Sequence, residues 1–293
     1  MINTSQPSDR GCVLVTGASS GIGKATAKRL AVAGYHVFAA ARRLEKMTDL
    51  QSDRITVLPL DITKEESVRS LVETISTQTE RLDVLINNAG YGSHGALEAV
   101  SLEEARYQFE VNVFGLMHLT QLILPIMRQQ RGGKIINVSS MIGKVSVPMS
   151  GWYSASKHVL EALSDALRLE VQQFGIKVVV IEPGAIKTEF NDIAAERVNK
   201  ASSIDAYQSW TEAWIKVLNS SNQTGAEPEV IAEAITKAVK TKNPRSRYAA
   251  PFESKFFLFL KWLLSDRLFD RVVLSEIKKR QKLVSPSISP IAE

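Results

Sequence analysis

Short strand-like runs, several of them apolar throughout, alternate with longer segments of helical period along most of the chain. The runs are CVLVT (12–16), HVFAAA (36–41), ITVLPL (55–60), DVLINN (83–88), KIINVSS (134–140) and KVVVIEP (177–183). Helices are predicted between them at about 22–33, about 64–78, over a long stretch ending near Gln130, and at about 152–174. Strands that stay apolar instead of alternating belong in a sheet covered on both faces, which is the parallel kind. Repeated strand–helix units with short connections predict a doubly wound, Rossmann-type α/β fold.

Beyond Pro183 the alternation breaks. Residues 191–228 carry Tyr207, Trp210, Trp214, Val217 and Leu218 at helical spacing, which suits a packed lid or core. The stretch EPEVIAEAITKAVK then predicts an amphipathic helix with Pro228 near its start, and a short edge strand is expected at 247–249. The reading is one domain over 1–250, with a substrate lid at about 190–226, and a hydrophobic and amphipathic extension over 251–293. Residues 284–293 are expected to be a loose end.

Composition narrows this only modestly. The chain has 293 residues, 44% hydrophobic and 23% charged, within the range of a single α/β domain. Its one cysteine, Cys12, excludes an intrachain disulfide framework, and the first ten residues hold no apolar signal-peptide core. A reducing, cytoplasmic setting is therefore expected. The net charge is +5. No block of Lys and Arg with interleaved aromatics occurs in the body of the chain, so a nucleic-acid partner is not expected. A phosphorylated cofactor or an anionic membrane surface would use the same charge. The four histidines show no ligand spacing with cysteine or acidic residues, and no metal is expected. His94 could line a substrate mouth.

The first strand runs into TGASSGIGK, residues 16–24. Gly17, Gly21 and Gly23, with Ser19, Ser20 and Ile22 between them, would let the backbone turn tightly beneath a pyrophosphate and bring a helix N-terminus to it. In NAD sites an acidic residue often follows about 20 residues on, at the end of the second strand. Here that strand ends AAARR, with Ala41 followed by Arg42 and Arg43. Two guanidiniums can grip a 2′-phosphate that a carboxylate would repel, which points to NADP(H). The same pair could also be a solvated basic turn.

Together with TGASSGIG, the motifs NNAG (87–90), VNVFG around Asn112, SS (139–140), YSASK (153–157) and PGAIKT (183–188) resemble the short-chain dehydrogenase/reductase family in its compact branch. The resemblance covers about residues 12–190, more weakly to about 250, and is nearest to 17β-hydroxysteroid-dehydrogenase-like members, including lipid and retinoid carbonyl reductases. It implies that Ser140, thirteen residues before Tyr153, holds the substrate oxygen. Tyr153 would exchange a proton with that oxygen, Lys157 would lower the tyrosine pKa and hold the nicotinamide ribose, and Asn112 would position a water leading to Lys157. It further implies that Asp61 and Ile62 meet the adenine, that Asn88, Ala89 and Gly90 line the cofactor, and that Pro183, Gly184, Ile186 and Thr188 close over its nicotinamide end. The physics agrees with the tyrosine–lysine pair. A phenol titrates near 10, and an ammonium one helical turn away favours the phenolate.

Around these residues lie Met141, Ile142, Val147, Met149 and Trp152, with Trp210 and Trp214 in the lid segment. A hydrophobic small-molecule substrate (steroid-, retinoid- or lipid-like) is expected, although core packing would use the same residues. The expected activity is NADP(H)-dependent interconversion of a carbonyl and an alcohol. The alternative is a non-catalytic nucleotide sensor or lipid-surface-binding protein on the same fold. A homo-oligomer, dimer or tetramer, is expected. The run FFLFLKWLL (256–264) and the amphipathic segment after it are too short to span a bilayer, which takes about 20 apolar residues. They would cap the pocket, form a subunit interface, or make peripheral membrane contact through 255–282.

Overall fold

A computed structural model of the chain describes residues 10–201 and 204–282. One sheet contains β1 (Cys12–Thr16), β2 (His36–Ala41), β3 (Ile55–Pro59), β4 (Val84–Asn87), β5 (Gly133–Val138), β6 (Ile176–Pro183) and β7 (Arg247–Ala250). The spatial order is β3-β2-β1-β4-β5-β6-β7, and every neighbouring pair is parallel. The helices are α1 (Gly21–Val32), α2 (Glu65–Gln78), α3 (Leu102–Phe109), α4 (Leu116–Gln129), α5 (Gly151–Glu170), α6 (Glu189–Ala201), α7 (Gln208–Thr224), α8 (Pro228–Lys240), α9 (Phe252–Leu263) and α10 (Asp266–Lys282).

The apolar runs are explained by two cores. Val13, Val15, Val37 and Ala39 enter one, where Ala27 and Leu30 of α1 and Ile231 and Ile235 of α8 cover them. Leu14, Phe38, Ala40 and Leu85 enter the other, beneath Val68 and Leu71 of α2, Leu119 and Ile123 of α4 and Leu167 of α5. Successive side chains of one strand thus serve opposite faces, and both faces must be apolar. Each large aliphatic side chain buried this way contributes about 1.5–3 kcal/mol.

The long helix expected to end near Gln130 is α3 and α4 joined by a π-helical turn, Glu110–Gly115. The helix expected to reach Phe174 stops at Glu170, and a single 3₁₀ turn leads to Gly175 in the left-handed conformation. Where the alternation breaks after Pro183, α6 and α7 pack on one another. Cys12 is only half-buried. The C-terminal helices fold back onto the C-terminal edge of the sheet, and Phe269 of α10 is buried with Ile142, Val145 and Tyr153. Residues 284–293 lie outside the described residues.

A cluster of charges ties α5 to β6 and β7. Arg247 Nε lies 3.1 Å from Glu161 Oε2 and 3.4 Å from Glu182 Oε1, its NH2 lies 2.6 Å from Asp165 Oδ2, and Lys144 Nζ lies 3.1 Å from Glu161 Oε2. Glu161 and Glu182 are buried. Burial, and then the neighbouring Glu161, push Glu182 up to about 7 against the pull of Arg247. A carboxyl raised above its ordinary value of 4.5 is at no cost when protonated and costs stability once it must ionise, here as pH rises from about 4.5 to 7. Arg247→Met should therefore destabilise the fold by about 3–5 kcal/mol. The loss should be larger at pH 8 than at pH 5, as read by urea unfolding at both; a loss independent of pH would contradict this account of the cluster.

Candidate active site

β1 lies between β2 and β4, and the chain leaves β1 in one direction and β4 in the other. Such a switch point leaves a crevice beyond the strand C-termini. Here it is stitched at its base by Thr16, whose Oγ1 accepts from the Asn88 and Ala89 backbone N–H at 3.1 and 3.0 Å. Asn88 Nδ2 returns a bond to the Thr16 carbonyl at 2.9 Å. The glycines make room at this junction. Gly17 has φ +66, and a Cβ there would stand 2.8 Å from Ala89 Cα. A Cβ on Gly23 would stand 2.3 Å from the Gly17 oxygen. The first turn of α1 has no acidic residue and no side-chain cap from Ser20, so its N–H groups are open to an anion. This cradle fits the pyrophosphate of a dinucleotide.

A cavity of about 540 Å³ extends from this turn. Toward that turn it gathers Gly17, Ser19, Ser20, Gly21 and Ile22, then Arg42, Arg43, Asp61 and Ile62, then Asn88, Ala89 and Gly90. Ser140, Tyr153 and Lys157 also line it, as do Pro183, Gly184, Ile186 and Thr188, the last of these lying against Gly21. Two expected residues do not line it. Gly23 lies beneath the turn, where it brings α1 against β1. Asn112 is fully buried in the π-helical turn and clamps the chain behind the cavity. Its Oδ1 accepts from the Tyr91 N–H at 2.8 Å, and its Nδ2 donates to the Tyr91 carbonyl at 2.8 Å and to Ser156 Oγ at 3.0 Å.

The two arginines differ. Arg42 is exposed and donates to the Tyr107 hydroxyl at 2.8 Å. Arg43 reaches across the glycine turn to Ser19 and Ser20 Oγ, both at 3.2 Å, and meets Glu189 Oε2 at 3.1 Å. Lys46 shares that carboxylate at 2.9 Å.

On α5, Tyr153, Lys157, Leu160, Glu161 and Ser164 fall at i, i+4, i+7, i+8 and i+11 and form the buried stripe of a helix facing the sheet. Lys157 Nζ donates to the Val138 carbonyl at 2.9 Å and sits 5.8 Å from the centre of the Tyr153 ring. Burial pushes Lys157 down to about 8, with Glu161 opposing the fall. Burial also raises Tyr153 above its ordinary value of 10, against a lowering hydrogen bond from Ser140. The expected lowering by Lys157 is not what governs the phenol: burial raises it, and the opposing pull comes from Ser140. Phenolate and ammonium are both charged forms, and desolvation penalises each. Tyr153 stands as a neutral phenol, able to donate a proton.

The remaining end of the cavity is largely apolar, with Ile142 and Phe190 near Tyr153 and Ile193, Trp214, Val217 and Leu218 from α6 and α7. Trp152 does not belong to it: it stacks edge-on against Phe109 at 6.3 Å, one residue and hence about 100° around the helix from Tyr153. Trp210, Val147 and Met149 pack behind the wall. His94 does line the cavity, its ring 5.3 Å from that of Tyr153 and 5.7 Å from that of Trp214.

Comparison with known proteins places this geometry. A family model for short chain dehydrogenases matches residues 11–199. The chain belongs to the short-chain dehydrogenase/reductase family. It is 39% identical over 243 residues to a 3-ketodihydrosphingosine reductase of Bacteroides thetaiotaomicron, covering 83% of this chain and 86% of that protein. It is 34% identical over 275 residues to an NADPH-dependent 3-dehydrocapnine reductase of Ornithobacterium rhinotracheale, covering 91% and 97%. Among solved structures, a short-chain dehydrogenase from Streptomyces avermitilis matches with a TM-score of 0.77 and 34% identity, over 94% of this chain and 99% of that one. The protein is thus an oxidoreductase of carbonyl and alcohol groups.

For this short-chain dehydrogenase/reductase, sequence motifs had no means of showing Glu189 or Phe190, which precede no motif of their own and reach the site only because α6 starts over the cavity. The role of Asn112 is also more structural than expected. Asn112→Ala leaves the Tyr91 N–H and carbonyl buried without their partner, which costs about 2–4 kcal/mol. The expected result is that loss in denaturant unfolding of the cofactor-free protein, together with weaker cofactor binding. Unchanged stability would reduce Asn112 to a holder of water.

Proposed function

We propose that the protein is an NADPH-dependent reductase of a hydrophobic, lipid-like ketone. The observation that carries this reading is the single cavity that runs from the glycine turn and Arg43, past Ser140 and Tyr153, to the apolar wall of Phe190, Ile193, Trp214 and Leu218. A bound nicotinamide would supply the hydride. The chain's own residues do the rest. Ser140 and Tyr153 hold the carbonyl oxygen, and the neutral phenol of Tyr153 gives it the proton that reduction requires. Lys157 restores charge balance from behind, through an ammonium whose depressed pKa lets it share a proton cheaply.

The NADP preference rests on Arg43. Its guanidinium already bridges Ser19 and Ser20 of the turn, and a 2′-phosphate would take the place that Glu189 fills as its anion. The NADPH-dependent relative supports the same choice.

His94 refines the substrate. Its Nδ1 lies 3.0 Å from Ser150 Oγ, while Nε2 is buried without a partner among the described residues. Burial lowers its pKa to about 4, so the ring is neutral. With the Ser150 hydroxyl donating to Nδ1, the assignment adopted for this reading, the ring proton sits on Nε2. An unsatisfied buried donor beside Tyr153 calls for a substrate that carries an acceptor near its ketone. The relatives named for 3-ketodihydrosphingosine and 3-dehydrocapnine favour the lipid over the steroid or retinoid alternative.

The test is consumption of NADPH against long-chain 3-ketones bearing a polar head, steroid ketones, retinal and small aldehydes. Fastest turnover is expected with the first group. Tyr153→Phe should lower turnover by about 100-fold or more while leaving NADPH binding intact. Arg43→Ala should weaken NADPH by about tenfold and NADH little. Preference for NADH, or a Tyr153→Phe enzyme as fast as the parent, would overturn the reading.

A further inference from the structure

α9 is apolar on both its inner and its outer side. Its inner side is occupied: Ser254 is buried, and Phe257 and Leu258, with Leu264 just beyond the helix, pack into the cluster of Ile142, Tyr153 and Phe269. Its outer side carries Phe252, Phe256, Phe259 and Leu263, at i, i+4, i+7 and i+11, with Trp262 beside them. These are 73%, 54%, 49%, 58% and 79% exposed respectively, and Leu268 continues the patch onto α10. Four of the five strongly exposed aromatic side chains among the described residues lie on this one helix face, which makes it a patch and not a scatter. Because the inner side is anchored beside the active site, the helix has no core face left to turn inward.

Charge around the patch is lopsided. Residues 252–282 hold eight Lys and Arg against four Asp and Glu, nearly the whole net charge of the chain. Asp266 is engaged by Lys261 at 2.6 Å and Glu276 by Lys279 at 2.6 Å, while Glu253 and Asp270 are exposed. Lys255 beside the patch, and Arg267, Arg271 and Lys278 along one side of α10, are exposed and have no ion-pair partner among the described residues.

We infer that the outer face of α9 docks on an anionic lipid surface, with its aromatic side chains in the headgroup–acyl boundary and the cations of α10 against the headgroups. At 1.5 Å per residue the helix is about 18 Å long, too short to cross a hydrocarbon layer of about 30 Å, so it lies in the plane of the interface. A second copy is the poorer occupant. A two-fold contact would bring the same unpaired cations of both copies together, whereas an anionic surface neutralises them. Docking would also set the substrate end of the cavity, walled by the same cluster that α9 packs against, close to lipid. The inference does not rest on the reaction assigned to that cavity.

Vesicle flotation of the full-length protein tests it without any need for turnover. The protein should float with phosphatidylcholine vesicles containing about one third phosphatidylglycerol, less with phosphatidylcholine alone, and less again as salt is raised. Phe259→Glu combined with Trp262→Glu should cut flotation by about tenfold or more. Both side chains are exposed, so unchanged thermal unfolding and NADPH binding establish that the variant is folded. Tyr153→Phe should float like the parent. A parent protein that does not float, or flotation that survives the double substitution, overturns the inference. So does a parent dimer that the double substitution splits without any vesicle binding, which assigns the face to a second copy.

Discussion

The structure is organised around an ammonium taken out of water. Lys157 is 4% exposed, and among the described residues its hydrogen bond goes to the carbonyl of Val138, at the last position of β5. Desolvating a charge is expensive, and the protein meets the expense incompletely, since burial still pushes the group down to about 8 from its ordinary 10.5. The sign of this is a cost. Below about pH 8 the folded protein carries a charged lysine that would be better hydrated unfolded, and the penalty fades as pH rises toward 10.5. A fold keeps such a group when the strain serves a site. Here it places a cation that yields its proton easily beneath a phenol that burial holds neutral.

The rest of the architecture fixes that pair in space. β5 must end at Val138 and α5 must lie along the sheet, which the charge cluster of Glu161, Glu182 and Arg247 secures from the far side. Asn112 closes the opposite flank. It ties Tyr91, just past Gly90, to Ser156, whose own hydroxyl donates to the Tyr153 carbonyl at 2.8 Å. A chain of short polar contacts therefore runs from the loop that lines the cavity to the backbone of Tyr153. A π-helical turn is an uncommon element, and its presence at Asn112 is explained by this set of bonds.

Much of this was legible in the sequence because it is local or periodic. Strands apolar on both faces announced the covered parallel sheet, and the four-residue step from Tyr153 to Lys157 put both on one helix face. What stayed hidden depends on partners far apart in the chain. Arg43 meets Glu189 across 146 residues, and no motif joins them. Neighbourhood in sequence also misled. Trp152 adjoins Tyr153 but points to Phe109, since one residue is a large rotation on a helix, while His94, fifty-nine positions before Tyr153, lies against it. The sequence marked 255–282 as apolar and basic, but only the packing of Phe257 and Phe269 shows which face of α9 is left outward.

The central claim is that burial, and not a pre-formed phenolate, sets the protonation of the pair before any ligand arrives. Its most direct test is the titration of Lys157 in the cofactor-free protein, followed by NMR on lysine labelled with carbon-13 and assigned with Lys157→Met. The account predicts a transition near pH 8. A transition near the ordinary value of 10.5 would show a well-solvated or well-paired ammonium and contradict it.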